Sequence, residues 1–490
     1  FGEIRPAGPG RLEREALWRD PENAAEALWY RGLIFRAFAD FGDGPMEYFY
    51  IPEDLPLPPL EQPAAPRPRS APLPLVRPPA RARHALNSLA VDGCTVLAQV
   101  RESPLLVGER PLPGSALLGS MHDMLLLPDP VRSDLLWTLA TGLGWAAPDR
   151  GRWVLDNQRV GAWLRLSHWE QMSLLFTSWR DSAAWNDLKH TPGLVSEGEW
   201  TNDPALARRR LLRLLQRLDG RTWYRVADVI VAMKRTDPDF QRPDGNYSGW
   251  YLRDAESGRY LSGYESWDAV EGRLLHFLIE GPLFWLGAVA LSGDIAAGQI
   301  EEQETFRLTP AGAAWLSSRM PHDPPQPARL AVGDDFIVTA PLLTPLLDRF
   351  RLARFADSLP AERWEHLRDT LVPGPTRHRI TRASLARGRK AGLKPEDAVN
   401  FLRKAAAGRV PPKVAAAIER YSQLGGQVRI TRGAILRVMD ANTLAALRSD
   451  PVIAPLLGDL VSAQAVIVPE ANLERVLAVL GDSGYSLEIS

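Results

Sequence analysis

The chain of 490 residues has one cysteine, Cys94, and only six lysines. A lone cysteine excludes an intrachain disulfide and a thiolate metal cage, which favours a reducing, cytoplasmic location and no structural zinc. None of the six lysines follows a glycine, so the chain has no Walker A loop of the kind that motor ATPases use to hold phosphates. We therefore expect no nucleotide-driven motor and no cofactor.

Long apolar runs are also missing. The longest, residues 283–291, is well short of the roughly 20 residues that a membrane-spanning helix needs. Because the chain opens at Phe1 and shows no charged-then-apolar leader, we expect a fragment that lacks its true start and carries no secretory signal. No membrane association is expected.

Catalytic motifs are equally scarce. The eight histidines are scattered, and His168-Trp169-Glu170 lacks the second histidine of a zincin. No Gly-x-Ser-x-Gly elbow occurs. The segment 481–484, Gly-Asp-Ser-Gly, resembles the nucleophile loop of trypsin-like proteases, but its place so near the end of the chain favours a helix cap. We expect a protein that is not an enzyme.

Positive charge is concentrated in one segment, although the whole chain has a net charge of −1. Residues 377–432 contain 14 lysines and arginines against three acidic residues, a net charge of +11, so the remainder carries −12. Such a block is typical of a surface that binds a polyanion, the alternative being a solvated basic face without a partner. The candidate DNA-binding residues are Arg377, Arg379, Arg382, Arg387, Arg389, Lys390, Lys394, Arg403, Lys404, Arg409, Lys413, Arg429 and Arg432.

The proline and tryptophan content changes along the chain and indicates two domain boundaries. Eleven prolines in residues 52–79 predict a semi-rigid polyproline spacer, and a second break follows Arg319. Fifteen of the 16 tryptophans precede residue 320, so the two sides of that break differ in character. The predicted domains are a winged-helix-like fragment (1–51), a linker (52–82), a helical or winged-helix-like domain (83–200), a winged-helix-like domain (201–318), a linker (319–330) and an α+β domain (331–490).

The upstream modules share one order of elements, a helix followed by a two-stranded ribbon, which is typical of winged helices. The three copies are helix 21–31 with strands 32–35 and 48–51, helix 130–143 with strands 144–145 and 153–155, and helix 267–279 with strands 286–290 and 305–308. Winged helices bind DNA or serve as protein-interaction modules, and both possibilities stay open. The predicted fold class is multidomain and mainly α, with winged-helix-like α+β modules followed by a C-terminal α+β domain.

The C-terminal part alternates strands and helices. We predict a strand at 336–339, helices from Pro395 and from Pro412, a hairpin over 428–438, a strand at 465–468, a helix at 469–480 and a strand at 485–489. Basic residues on two helices and a hairpin could then converge on one face.

A family resemblance rests on the order of several short motifs in this part: Phe336-Ile337-Val338-Thr339, residues 379–385 and 392–397, residues 410–414, Ile418-Glu419-Arg420-Tyr421, residues 425–430 and Gly484-Tyr485. In this order they resemble the helicase-associated N-terminal domain of XPB-type DNA helicases, over about a third of the chain. The upstream modules are similar to bacterial proteins that carry this domain without a motor. The resemblance implies a damage-recognition module, and it gives the basic positions a role in contacting nucleic acid.

The leading hypothesis is a cytoplasmic, non-enzymatic DNA-binding protein of repair or transcription that contacts the phosphate backbone. The runner-up is a protein-interaction adaptor for a separate helicase or for transcription machinery. A nuclease, for which no metal-binding carboxylate set is visible in the sequence, ranks third.

Overall fold

A computed structural model describes residues 4–5, 8, 11, 14–15, 17–19, 21–40, 45–52, 73–108, 114–293, 304–323, 325–362, 364–367, 369–424 and 432–488. Within them the α-helices are α1 (Ala24–Tyr30), α2 (Ser88–Glu102), α3 (Gly114–Leu117), α4 (Pro130–Gly142), α5 (Asn157–Leu164), α6 (His168–Asp181), α7 (Pro204–Leu215), α8 (Val226–Thr236), α9 (Arg273–Leu278), α10 (Pro310–Leu316), α11 (Leu346–Leu352), α12 (Arg382–Lys390), α13 (Pro395–Ala405), α14 (Pro412–Leu424), α15 (Ala441–Ser449) and α16 (Leu473–Asp482). Two π-helical turns, Asp268–Gly272 and Ile279–Leu283, flank α9.

The strands are short. They are β1 (Phe35–Asp40), β2 (Pro45–Tyr50), β3 (Ala82–Arg83), β4 (Ala146–Asp149), β5 (Arg152–Leu155), β6 (Leu194–Ser196), β7 (Tyr224–Arg225), β8 (Leu252–Asp254), β9 (Val289–Ser292), β10 (Thr305–Leu308), β11 (Ala331–Val332), β12 (Ile337–Ala340), β13 (Asp357–Ser358), β14 (Glu365–Leu367), β15 (Thr370–Val372), β16 (Thr376–Arg379), β17 (Gly433–Arg437), β18 (Leu460–Ser462) and β19 (Ala465–Pro469).

The chain forms two compact units, residues 1–419 and 420–490, and the division falls within α14. In the first unit, a six-stranded sheet has the order β14-β15-β3-β9-β10-β7, and a four-stranded sheet has the order β11-β12-β16-β13. Strands from both sides of residues 319–330 therefore share the larger sheet. In the second unit, β17, β19 and β18 form an antiparallel sheet in that order.

Helix α2 lies at the centre of the first unit. Eleven of its 15 residues are buried, which is the pattern of a helix surrounded by other elements on all sides. Its Asp92 is fully buried and accepts hydrogen bonds from Arg132 Nη1 (2.6 Å) and from the amide of Leu126 (2.7 Å). Cys94 donates to the carbonyl of Leu346 (3.4 Å), and burial raises the pKa of its thiol to about 12. The helix thus joins α4 to the segment that begins α11.

Most of the tryptophans pack in the core of this unit, and several use their N–H groups there, as expected for buried indoles. Trp179 and Trp185 both donate to the carboxylate of Asp187, at 3.1 and 2.8 Å. The same carboxylate accepts from Nε of Arg208 at 2.6 Å. Arg208 has no exposed surface, and its remaining N–H groups donate to backbone carbonyls of residues 179, 182 and 185. One buried ion pair therefore fixes the end of α6 against α7.

Most predicted elements are confirmed within a few residues. Helices occur at Pro130–Gly142, Pro204–Leu215, Pro395–Ala405 and Pro412–Leu424, and antiparallel hairpins follow at β4–β5 and β9–β10. With about 45% helix and 16% strand, the mixed multidomain class is confirmed. The winged-helix character of the modules and the domain limits stay predictions. Residues 42–44, 53–72 and 425–431, which include the predicted first turn, most of the spacer and part of the hairpin, lie outside the described residues.

One expectation about the end of the chain needs correction. Strand β17 pairs with β19, and its predicted hairpin with residues 428–430 stays a prediction because those residues lie outside the described ones. The predicted strand at 485–489 is wrong for residues 485–488, where no strand forms. The amide of Tyr485 donates to the carbonyl of Leu480 at 3.0 Å after Gly484 at φ 80°, so this backbone group terminates α16 instead of entering a sheet.

We predict that Arg208→Met lowers the free energy of unfolding of the full chain by about 3–5 kcal/mol, because it leaves the Asp187 carboxylate buried without its partner. Urea denaturation followed by tryptophan fluorescence measures the change. The control is Arg209→Met. Arg209 pairs with Asp203 (2.9 Å), and both side chains are about half exposed. The control substitution should therefore lower the free energy of unfolding by no more than about 1 kcal/mol. Equal effects of the two variants would contradict the prediction.

Candidate nucleic-acid interface

Helix α12 carries part of the basic block, and its first turn is fixed in place. Thr381 and Ser384 form a reciprocal capping box, in which each hydroxyl accepts from the other residue's amide (3.0 and 2.9 Å). Thr381 Oγ1 also donates to Asp357 (2.9 Å), and Ser384 Oγ donates to the carbonyl of Phe355 (2.8 Å). Further along, a Cβ on Gly388 would lie 2.9 Å from the carbonyl oxygen of Arg354, so only glycine permits this close approach. The helix is a rigid support.

Helix α13 presents a second set of cations. Pro395 occupies its first turn with Glu396 and Asp397, and Arg403 and Lys404 stand in its last turn, an arrangement that complements the helix dipole. Ala398, Val399, Leu402 and Ala405 form its buried face, so the basic pair is directed towards solvent.

Several predicted residues are engaged within the protein. Arg377 pairs with Glu362 (3.0 Å), and Arg387 pairs with Asp357 (2.8 Å) and Glu102 (3.4 Å). Lys413 Nζ lies 5.8 Å from the ring centroid of Phe336. In the second unit, Arg432 is 91% exposed and pairs with Glu470 at 3.6 Å. Arg429 lies outside the described residues.

The remaining candidate DNA-binding residues are exposed. Over the described ranges, no ion pair, hydrogen bond or ring contact engages the side chains of seven cations, which we call the exposed basic set: Arg379, Arg382, Lys390, Lys394, Arg403, Lys404 and Arg409. Arg389 is exposed as well. Arg382, Arg389 and Lys390 are seven and eight positions apart on α12 and therefore share one stripe of the helix. The side chains of the exposed basic set can meet an external anion without first leaving an ion pair within the described residues.

Two arginines that the sequence analysis missed lie beside this set. Arg351 and Arg354 line a cavity of about 380 Å³ together with Lys404, and the apolar part of its wall includes Leu393 and Phe401. Cations around an apolar, aromatic-lined cavity suit a nucleotide, because phosphate and base need different surroundings. The two arginines precede the basic block, and the run Asp348-Arg-Phe-Arg-Leu-Ala-Arg354 was the signal that could have identified them.

Arg349, from the same run, is fully buried and joins α11 to the sheet that carries Arg377 and Arg379. It donates to Thr376 Oγ1 (2.6 Å) and to the carbonyls of Ala340 (3.2 Å), Pro341 and Thr344 (3.3 Å). Burial lowers its pKa to about 10, so the guanidinium remains charged at neutral pH. Next to it, burial and then the charge of Arg349 lower the pKa of His378 to about 3.

His378 should make the first unit sensitive to acid. Because its folded pKa lies below the unfolded value of about 6.5, the unfolded state binds the extra proton, and stability falls as pH drops below 6.5. Between pH 7 and pH 5 this residue should remove up to about 2 kcal/mol. Urea titrations at both pH values should give a smaller difference for His378→Gln than for the wild-type chain. For the exposed control His366→Gln, the difference in stability between the two pH values should equal that of the wild-type chain. If His378→Gln also showed the wild-type difference, the acid sensitivity could not be attributed to His378.

One family comparison bears on this region. Residues 374–462 match the model of the helicase conserved C-terminal domain, a segment that includes the whole basic block and extends into the second unit. No curated protein matches the chain. Among the described residues, no helix is long and apolar enough to span a membrane. The family match confirms the predicted helicase-associated character of the C-terminal part. It does not describe an XPB-type N-terminal domain. The match links this segment to helicase-associated, nucleic-acid-related function.

Proposed function

We propose that the chain is a non-enzymatic DNA-binding protein that contacts the phosphate backbone through the exposed basic set. The observation that carries the proposal is that, within the described residues, none of these seven side chains forms an ion pair, although the charge of Lys404 acts on the nearby carboxyl group of Asp348. A cation that is already paired, such as Arg387, must break its ion pair before it can neutralise a phosphate. An unpaired cation on a rigid helix loses only its hydration and its counterions, so it gives more net affinity.

The upstream elements favour a role in positioning. Helix α7, strand β7, helix α8, the helical segment 268–283 and strands β9 and β10 occur in this order, with β8 inserted after α8 and paired with β6. Strand β7 pairs with β10, and β10 pairs with β9. This order and pairing are typical of a winged helix. The helical segment 268–283 has Arg273 paired with Asp254 (2.7 Å) and carries four acidic or histidine side chains, which is a poor surface for phosphate. We infer that this module contacts a partner protein or orients the chain rather than supplying the main DNA affinity.

The setting that fits the helicase-associated segment is DNA repair or transcription in the cytoplasm of a bacterium, beside a separate helicase. A damage-recognition role, as in XPB-type helicases, is part of this proposal. Contacts to phosphate alone give affinity with little sequence preference, so the protein should respond to DNA shape rather than to base sequence.

The test uses the full chain, because the basic helices pack on residues far upstream, such as Glu102. We expect Arg382→Glu, Lys390→Glu, Lys394→Glu and Lys404→Glu, combined in one variant, to weaken binding to duplex DNA strongly. The slope of log affinity against log salt should fall by about 3 to 4, since each phosphate contact contributes about 0.9. Fluorescence anisotropy with labelled duplex and forked DNA over a salt series measures the affinity and its dependence on salt.

The matched control reverses four other exposed arginines, Arg213, Arg217, Arg221 and Arg259, outside the basic block. It should bind DNA nearly as well as the wild-type chain. If the control lost binding and the test variant kept it, the winged-helix-like module would be the DNA surface instead.

The second candidate is a protein-interaction adaptor for a helicase or for transcription machinery. Apolar side chains on the second unit favour it, since Met439 is 95% exposed and Val452, Leu460 and Val461 are each more than half exposed. Wild-type protein that failed to bind any DNA at low salt would favour this role over the first.

A further inference from the structure

Three metal-ligating side chains meet at a place that the proposed DNA contacts do not use. His276 and Glu280 are four residues apart on the helical segment 268–283 and therefore lie on the same face. Glu304 immediately precedes β10. His276 Nε2 lies 3.7 Å from Glu280 Oε2 and contacts Glu304 Oε2 directly. One ligand atom from each residue can be chosen so that all three lie within 4.8 Å of one another.

The backbone that carries Glu280 is unusual and well supported. It lies in the π-helical turn Ile279–Leu283, which contains Pro282. Single π turns within α-helices occur frequently at functional sites. A Cβ on Gly281 would lie 2.9 Å from the ring of Phe277 and 3.3 Å from that of Trp285, so the aromatic side chains pack tightly on this turn. Glu280 is thus held in position before any ligand arrives.

The charges of the cluster are poorly balanced by the protein. Within the described residues, neither Glu280 nor Glu304 forms an ion pair with a lysine or an arginine, and His276 is their direct partner. The nearby Arg273 is committed to Asp254 and to the carbonyl of Gly193 (3.0 Å). A divalent cation would relieve the repulsion between the two carboxylates.

The cluster also faces open space. His276 and Glu280 line a cavity of about 430 Å³, whose wall also includes Asp129, Arg273 and Trp285. Each of the three ligating side chains is between 25% and 40% exposed, so an ion can enter from solvent. A ligand set of three with an accessible fourth side is the pattern of a zinc site that keeps one position open.

We propose that His276, Glu280 and Glu304 bind a divalent first-row metal ion, with Zn²⁺ the best match, and leave a coordination position open to the cavity. One imidazole nitrogen with two carboxylate oxygens suits zinc better than magnesium or calcium, which favour oxygen ligands throughout. Ligand atoms in a tetrahedral zinc site are about 3.3 Å apart, which is close to the 3.7 Å between His276 Nε2 and Glu280 Oε2. The direct contact between His276 Nε2 and Glu304 Oε2 has to open to admit the ion, which side-chain rotation of Glu304 allows. The bound ion would fix β10 to the helical segment and accept water or an anionic group.

The experiment titrates untagged, chelator-treated full-length chain with ZnCl₂ by calorimetry, with metal content measured after dialysis. We expect one equivalent of zinc. The variants His276→Ala, Glu280→Gln and Glu304→Gln should each weaken binding by more than the roughly 10–100-fold that loss of an outer-shell partner causes. The matched control is His366→Ala, which removes an exposed histidine on β14 and should bind zinc like the wild-type chain.

Thermal unfolding separates loss of the site from loss of the fold. Zinc should raise the melting temperature of the wild-type chain and of His366→Ala, since a ligand that binds only the folded state stabilises it, and should leave that of the three ligand variants unchanged. Circular dichroism should show that the metal-free variants are folded. Absence of zinc binding by the wild-type chain, or equal binding by folded ligand variants, would overturn the proposal. Neither outcome bears on the DNA surface, which uses other residues.

Discussion

The buried contact between Asp92 and Arg132 sets the position of the central helix α2, and much of the first unit depends on that helix. The carboxylate has no exposed surface, and Arg132 Nη1 also donates to the carbonyl of Leu127. On its other side, α2 supports the segment before the basic helices, because Arg101 donates to the carbonyl of Phe350 (3.0 Å) and its guanidinium lies 4.0 Å from the Phe350 ring centroid. Residues more than 200 positions apart thus share one core, and the cationic surface rests on the tryptophan-rich half of the chain.

Burial divides the arginines into classes with different roles. Arg132, Arg208 and Arg349 are each at most 4% exposed and use their fork of donors to satisfy carbonyls and carboxylates where chain segments cross. Arg377 and Arg387 are intermediate, and their ion pairs orient β16 and α12. In the exposed basic set, Arg379 lies on β16 and Arg382 and Lys390 lie on α12, and within the described residues none of the seven side chains forms such an ion pair. Counting charge along the sequence mixes the three classes, whereas a polyanion can use only the last one without breaking internal bonds.

The two candidate sites of the first unit have opposite electrostatic character. The basic helices offer fixed positive charge on an open surface, which attracts an extended anion and depends strongly on salt. The cluster of His276, Glu280 and Glu304 offers concentrated negative charge and an imidazole at the edge of a cavity, which suits a compact cation. The helical segment 268–283 thus carries side chains that disfavour phosphate and that would favour the proposed metal ion. This contrast agrees with the net negative charge of the chain outside residues 377–432.

The sequence by itself determined the elements whose signals are local: the helices that begin at proline, α4, α7, α13 and α14, the hairpin around Gly151, the strands β9 and β10, and the concentration of positive charge. Only the tertiary structure decided which cations are paired, because the partners of Arg377 and Arg387 come from other elements, Glu102 lying almost 300 positions away. It also brought Arg351 and Arg354 beside Lys404, and Glu304 beside His276 across 28 positions. Local patterns fix secondary structure because hydrogen bonding and side-chain periodicity act over a few residues, whereas a site is assembled by packing between distant segments, which no short pattern records.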